Sequence, residues 1–236
     1  MDQKNQKNSN SLSIFYIFKF LDGSSRHFDI RLDPSTMNCI PPEGPWPEWT
    51  ATSFHKCDVC TYKGEHCPVA VNISGIVDAF EGISADDSTH VLIMAKNRDY
   101  SKSTTLQEGL MAMFGLCMAA SPCPVLGKLK PLVRYHLPFA SLEESVFRVA
   151  SMYLLVQYFL ARKGAEPDWK LKGLNKIYED IHAVNKGMSQ RLENAAFGDA
   201  SQRAIAKLDY TASLVPFVIN ETLDEIEASL SSYLED

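Results

Sequence analysis

The sequence predicts an α+β fold: an N-terminal β-hairpin or small antiparallel sheet with a cysteine-rich loop, followed by a mainly α-helical C-terminal half. Three observations carry this reading. Runs of aromatic and β-branched residues, one of them strictly alternating, lie near the start. Capping-box sequences and apolar residues at intervals of three and four fill the remainder. Strand–helix–strand alternation is missing, which argues against a doubly wound sheet.

Residues 1–10 are polar and rich in Asn, Gln and Lys. They lack the apolar segment of a secretory signal and read as a disordered tail. One domain is expected over 11–236, β-rich with the cysteine cluster over 11–100 and helical over 101–236. Residues 13–20 read as a strand. Asp22-Gly23-Ser24-Ser25 supplies a turn, and 27–32 alternates with Phe28, Ile30 and Leu32 on one side. Together they make a hairpin. Four prolines and a glycine over 41–47 exclude a regular element there. A short helix is expected over 69–80. A third strand is expected over 90–96, ended by Asn97-Arg98-Asp99.

From Thr105 the pattern becomes helical. Thr105-Leu-Gln-Glu108 is a capping-box sequence before a helix that is apolar nearly all round to Ala120, and so central. Ser141-Leu-Glu-Glu144 opens a second helix, to about Arg162. Asp168 is expected to cap a third, with Leu174, Ile177, Ile181, Val184, Met188 and Leu192 on one face. Asp199 should cap a fourth, interrupted by Pro216. A fifth carries Ile219, Leu223, Ile226 and Leu230.

The 236 residues are 45% hydrophobic, enough for a sizeable core and too apolar for a largely disordered chain. The net charge of −6 resides at the end: residues 199–236 hold two basic and eight acidic residues, 2 − 8 = −6. No basic stripe exists, so nucleic acid is not expected as a partner. The most apolar stretch, 149–160, is too short to span a bilayer, so no membrane association is expected. A cytoplasmic location follows. In a reducing compartment, six cysteines serve as ligands, reactive thiols or core residues rather than as a disulfide framework.

The chemistry concentrates in His55-Lys-Cys57-Asp-Val-Cys60-Thr-Tyr-Lys-Gly-Glu-His66-Cys67-Pro68. A Cys-x-x-Cys turn lets two sulfurs face one concavity. Cys57 and Cys60 have that spacing, and Cys67 follows within reach. Cys123, in the Ser121-Pro122-Cys123-Pro124 turn, is the favoured fourth ligand, with His55 or His66 as alternatives. Zinc is the leading cofactor; an iron–sulfur cluster is the rival, since four thiolates serve either. A thiol redox pair is the third possibility, weakened because no βαβ pattern surrounds it. Cys117 reads as a core thiol, and Cys39 has no evident partner.

Other constellations carry less. Arg134 and His136, before Glu144, could form an acid–base site, against the plainer reading of a loop satisfying backbone groups. Arg98, Tyr100, Lys102, Thr104 and Thr105 could hold an anion at a helix start; helix capping explains the threonines as well. Arg148 lies in an apolar helix and needs a partner. No Walker loop or Gly-x-Gly-x-x-Gly occurs.

The chain resembles members of an uncharacterised bacterial family. The resemblance rests on Phe54-His55-Lys-Cys57-Asp-Val-Cys60, Cys67-Pro68-Val69-Ala70-Val-Asn72, His136-Leu137-Pro138-Phe139-Ala140 and Ser151-Met152-Tyr153-Leu154-Leu155. It implies a domain over most of the chain and assigns no activity. The residues point to a binding or regulatory module for a small molecule or protein, with a mainly structural metal. The alternative is an enzyme: a metal-dependent hydrolase with His136 as acid–base, or an iron–sulfur or thiol redox protein.

Overall fold

The computed structural model describes residues 11–234; the tail expected over 1–10 lies outside them. Four strands form one antiparallel sheet: β1 (Leu12–Phe20), β2 (Ser25–Leu32), β3 (Ser88–Ala95) and β4 (Arg98–Thr105), in the order β2-β1-β3-β4. Gly23, at φ +84°, turns the β1–β2 hairpin, and Tyr16 stands opposite both Phe28 and Ile93. Between β2 and β3 the chain runs through the cysteine loop and α1 (Pro68–Ala79). The expected sheet and helix thus form, with one strand more than the sequence predicts.

That strand is β4. Arg98 to Thr105 pairs with β3 rather than forming an anion site, and only Thr105 acts as a helix cap. Its alternation is hidden because its side chains are mostly polar and exposed. Edge position explains this composition, since one flank of β4 pairs with no strand among the described residues.

The helical part comprises α2 (Leu106–Ala119), a short α3 (Lys130–Arg134), α4 (Leu142–Arg162), α5 (Lys172–Asn194), α6 (Asp199–Ser229) and a final turn, α7 (Ser231–Leu234). The Thr105 hydroxyl accepts from the Glu108 N–H, while the Glu108 carboxylate pairs with Lys207 instead of closing the box. Ser141 and Glu144 make the full capping box. α2 crosses the sheet where Gly109 sits: a Cβ there would lie 2.5 Å from the Phe18 ring and 2.9 Å from Val91. Only glycine permits that approach.

Three helix expectations need correction. Asp168 is not the N-cap of α5; Leu171 is, in a left-handed conformation. Asp168 instead accepts from the Gly173 N–H at 2.8 Å and from the Tyr153 hydroxyl at 3.0 Å, which draws it into the loop. Asp199 is the first residue of α6 and accepts from the Ala85 N–H, tying two segments together. Pro216 does not interrupt α6, which runs for 31 residues in all, so the expected fourth and fifth helices are one. Its packing along α5 and α2 outweighs the missing backbone donor.

Sheet and helices share one apolar core, from Ile14, Tyr16 and Phe18 through Leu110 and Phe114 to Ile205 and Ile219. None of the described helices is long and apolar enough to cross a membrane.

Candidate functional site

The cysteine loop is a closed structure built on backbone pairing. Thr52 N–H donates to Glu65 O and Cys67 N–H to Thr50 O, both at 2.7 Å. Cys57 and Cys60 flank a tight turn, closed by Cys60 N–H donating to Cys57 O at 3.0 Å. Cys67 is the N-cap of α1, with Pro68 as its first residue, so the helix direction follows directly from the third cysteine. Cys123 arrives from the turn after α2, where Gly127 N–H donates to its carbonyl.

Cys57, Cys60, Cys67 and Cys123 line one cavity of about 20 Å³, with Val184, Met188 and Arg191 of α5 among its other walls. α5 reaches the loop because Gly187 faces Cys57: a Cβ there would stand 2.7 Å from the Cys57 Cβ. Among the described residues no group of three or more His, Cys, Asp or Glu is already gathered as a metal-binding set. The four thiols share a wall without converging on one point.

Crowding and burial act on two of the sulfurs. Burial, then the neighbouring Cys60, Cys123 and Cys67, push the Cys57 thiol up to about 12. Burial also raises Cys123, opposed by the Leu126 and Val125 backbone N–H groups that favour its thiolate. A thiol held so high is a poor nucleophile at neutral pH. Arg191 is the counterpart. Its side chain is 3% exposed, with Nη1 donating to Trp49 O (2.8 Å) and Ala51 O (2.7 Å), and Nη2 to Thr52 O (3.3 Å). It forms no ion pair with a described carboxylate; burial lowers its pKa, and ionisation of Cys67, Cys57 or Cys60 would act against that.

The alternative ligands lie elsewhere. His66 bonds through Nδ1 to the Thr50 hydroxyl at 2.8 Å and packs on Trp46. His55 is exposed beside Phe54. Neither lines the cavity. Cys39, expected to lack a partner, has the buried Cys117 thiol as its neighbour.

Arg134, His136 and Glu144 are not brought together as a site. Arg134 donates to Pro34 O, and Glu144 is engaged by its capping box. His136 Nε2 lies 2.6 Å from the Tyr16 hydroxyl, and burial with the nearby Arg148 lowers its pKa to about 3. A neutral imidazole bound to a phenol is a packing element here. Arg148 finds carbonyls, Tyr135 O at 2.9 Å and Leu132 O at 3.3 Å, rather than a carboxylate.

The sequence reading missed Arg191 and Asn185. Both occupy the apolar stripe of α5 at intervals of three and four from Ile181, Val184 and Met188. A cation and an amide in such a stripe are the signal that was available.

No curated protein and no solved structure matches the chain. A family model described as "Domain of unknown function (DUF6901)" matches residues 14–231, taking in the sheet, the cysteine loop and the helices together. The chain belongs to that family.

Proposed function

We propose that Cys57, Cys60, Cys67 and Cys123 hold one zinc ion as a structural cross-link within a cytoplasmic binding or regulatory module. The observation that carries this reading is the meeting of four cysteines on one small cavity beside a buried, carboxylate-free arginine. Four protein sulfurs leave no position for water, the arrangement of a structural rather than a catalytic zinc. Each cysteine has one side-chain torsion, and its rotation turns the sulfurs from the shared wall onto the ion. Binding displaces the thiol protons, and Arg191 then offsets part of the resulting negative charge.

The space favours a single ion. A cavity of about 20 Å³ has room for roughly one water-sized body, whereas a four-iron cluster has eight inorganic atoms. The cross-link would tie the loop before α1 to the turn after α2 and restrict the unfolded chain over the intervening residues. The hydrolase reading loses support because His136, Arg134 and Glu144 each have separate partners.

The test is the metal content of protein purified without oxygen, beside the double variant Cys57→Ser/Cys60→Ser. One equivalent of zinc in the wild type and none in the variant is the expected result. A metal-free wild-type protein of undiminished stability would refute it.

A further inference from the structure

A second, larger cavity lies on the other side of α5 residues 184–185 from the cysteine cavity, and none of Cys57, Cys60, Cys67 and Cys123 lines it. It measures about 210 Å³ and lies among α2, α4, α5, α6 and the segment 136–140. Its walls are mainly apolar, including Ala112, Leu116, Phe139, Leu208 and Val215. For comparison, an apolar cavity of about 150 Å³ binds benzene, so this one suits a molecule of roughly ten non-hydrogen atoms.

Two polar side chains of this lining are not accounted for by apolar packing: Asn185, which has no hydrogen-bond partner among the described residues, and Arg148, which donates only to carbonyls. Asn185 is 1% exposed, and neither its amide nitrogen nor its amide oxygen has a hydrogen-bond partner. A buried amide left so costs stability unless something supplies the missing bonds. Arg148 is the one charged residue of the lining and forms no ion pair with a described residue. Glu144 lies one turn before it but is held by Ser141. The hydroxyl of Tyr100 is also buried without a partner among the described residues. His136 adds no charge, since its ring remains neutral at physiological pH.

The geometry points to a binding site for a small apolar carboxylic acid, its carboxylate at Arg148, its hydrocarbon body against the apolar walls, and a hydrogen bond to Asn185. Guanidinium pairs with a carboxylate through two parallel hydrogen bonds. A few placed polar groups in an apolar cavity are the ordinary make-up of a small-molecule site. The inference names a ligand class for the binding module proposed above, yet it does not need the metal. Loss of acid binding with zinc retained would leave the metal centre standing, and the reverse holds equally.

The test is calorimetric and NMR titration of the full chain with octanoate and 3-phenylpropionate, beside the neutral 3-phenylpropionamide. The acids are expected to bind saturably, shifting resonances of α2 and α5, and the amide at least about tenfold more weakly. Arg148→Gln should weaken acid binding by about 10- to 100-fold. Asn185→Leu separates a ligand role from a structural one: it should raise the melting temperature of the ligand-free protein while weakening the acid. Gly115→Leu, whose Cβ would meet only Leu208 at 3.6 Å, should fill the cavity and abolish binding with Arg148 intact. Absence of saturable acid binding, equal binding of acid and amide, or a lowered melting temperature for Asn185→Leu would each overturn the proposal.

Discussion

Replacing Arg191 by Met removes a cation that the fold holds against three backbone carbonyls, at 2.8, 2.7 and 3.3 Å. A hydrogen bond from a charged donor contributes about 1.5–3 kcal/mol. The three are not additive, because two share one nitrogen and the third is long. Methionine retains the apolar stem, so the net loss is set by three carbonyls left without their donor, at roughly 1–3 kcal/mol for each that is buried and about 3–5 kcal/mol together. For a domain of this size that lowers Tm by about 6–20 °C. The structure adds a condition. Arg191 faces the cysteine cavity without a carboxylate, so its charge matters most when the sulfurs are ionised. Guanidinium unfolding followed by circular dichroism, with zinc and with a chelator, resolves the two parts. The variant should lose more stability in zinc than in chelator, and its zinc affinity should fall about tenfold or more. A loss below about 1 kcal/mol in both conditions would refute the structural role of Arg191. An equal loss in both would refute its coupling to the thiolates.

Two further outcomes follow from the same geometry. Cys123→Ser should lower zinc affinity and Tm together, while Cys39→Ser, whose thiol neighbours Cys117 away from the cavity, should leave zinc content unchanged; inductively coupled plasma analysis and melting curves read both. Acid should destabilise the fold through His136. In the unfolded chain the imidazole takes a proton near pH 6.5, whereas in the folded chain it stays neutral down to about 3. The unfolded state binds more protons in that window, so the stabilisation is complete above about pH 6.5 and is lost as pH falls. Between pH 7 and pH 4 the wild type should lose about 2–3 kcal/mol more than His136→Gln, a difference in which any effect of metal release cancels. Parallel stability profiles would contradict the burial of a neutral ring.

Much of the architecture is written in local pattern. The alternation of Phe28, Ile30 and Leu32 and the Ser141–Glu144 box each specify an element through nearest-neighbour chemistry, and each forms as read. What escapes depends on distant partners. β4 has the exposed, polar composition of a loop and becomes a strand only because β3 offers it an edge. Pro216 should break a helix, yet α6 passes through it with α5 and α2 alongside. At the site, the Cys-x-x-Cys spacing and the Pro-flanked Cys123 were legible. Arg191 was not recognised, because its role depends on α5 crossing the cysteine loop at Gly187, a long-range contact with no local signature.

X-ray absorption at the zinc edge tests the central proposal most directly, because it counts the atoms bound to the ion. Four sulfur neighbours at about 2.3 Å, falling to three in Cys123→Ser, is the predicted result. A shell containing a nitrogen neighbour at about 2.0 Å, or four sulfurs retained in Cys123→Ser, would contradict the assignment of Cys57, Cys60, Cys67 and Cys123 to one ion.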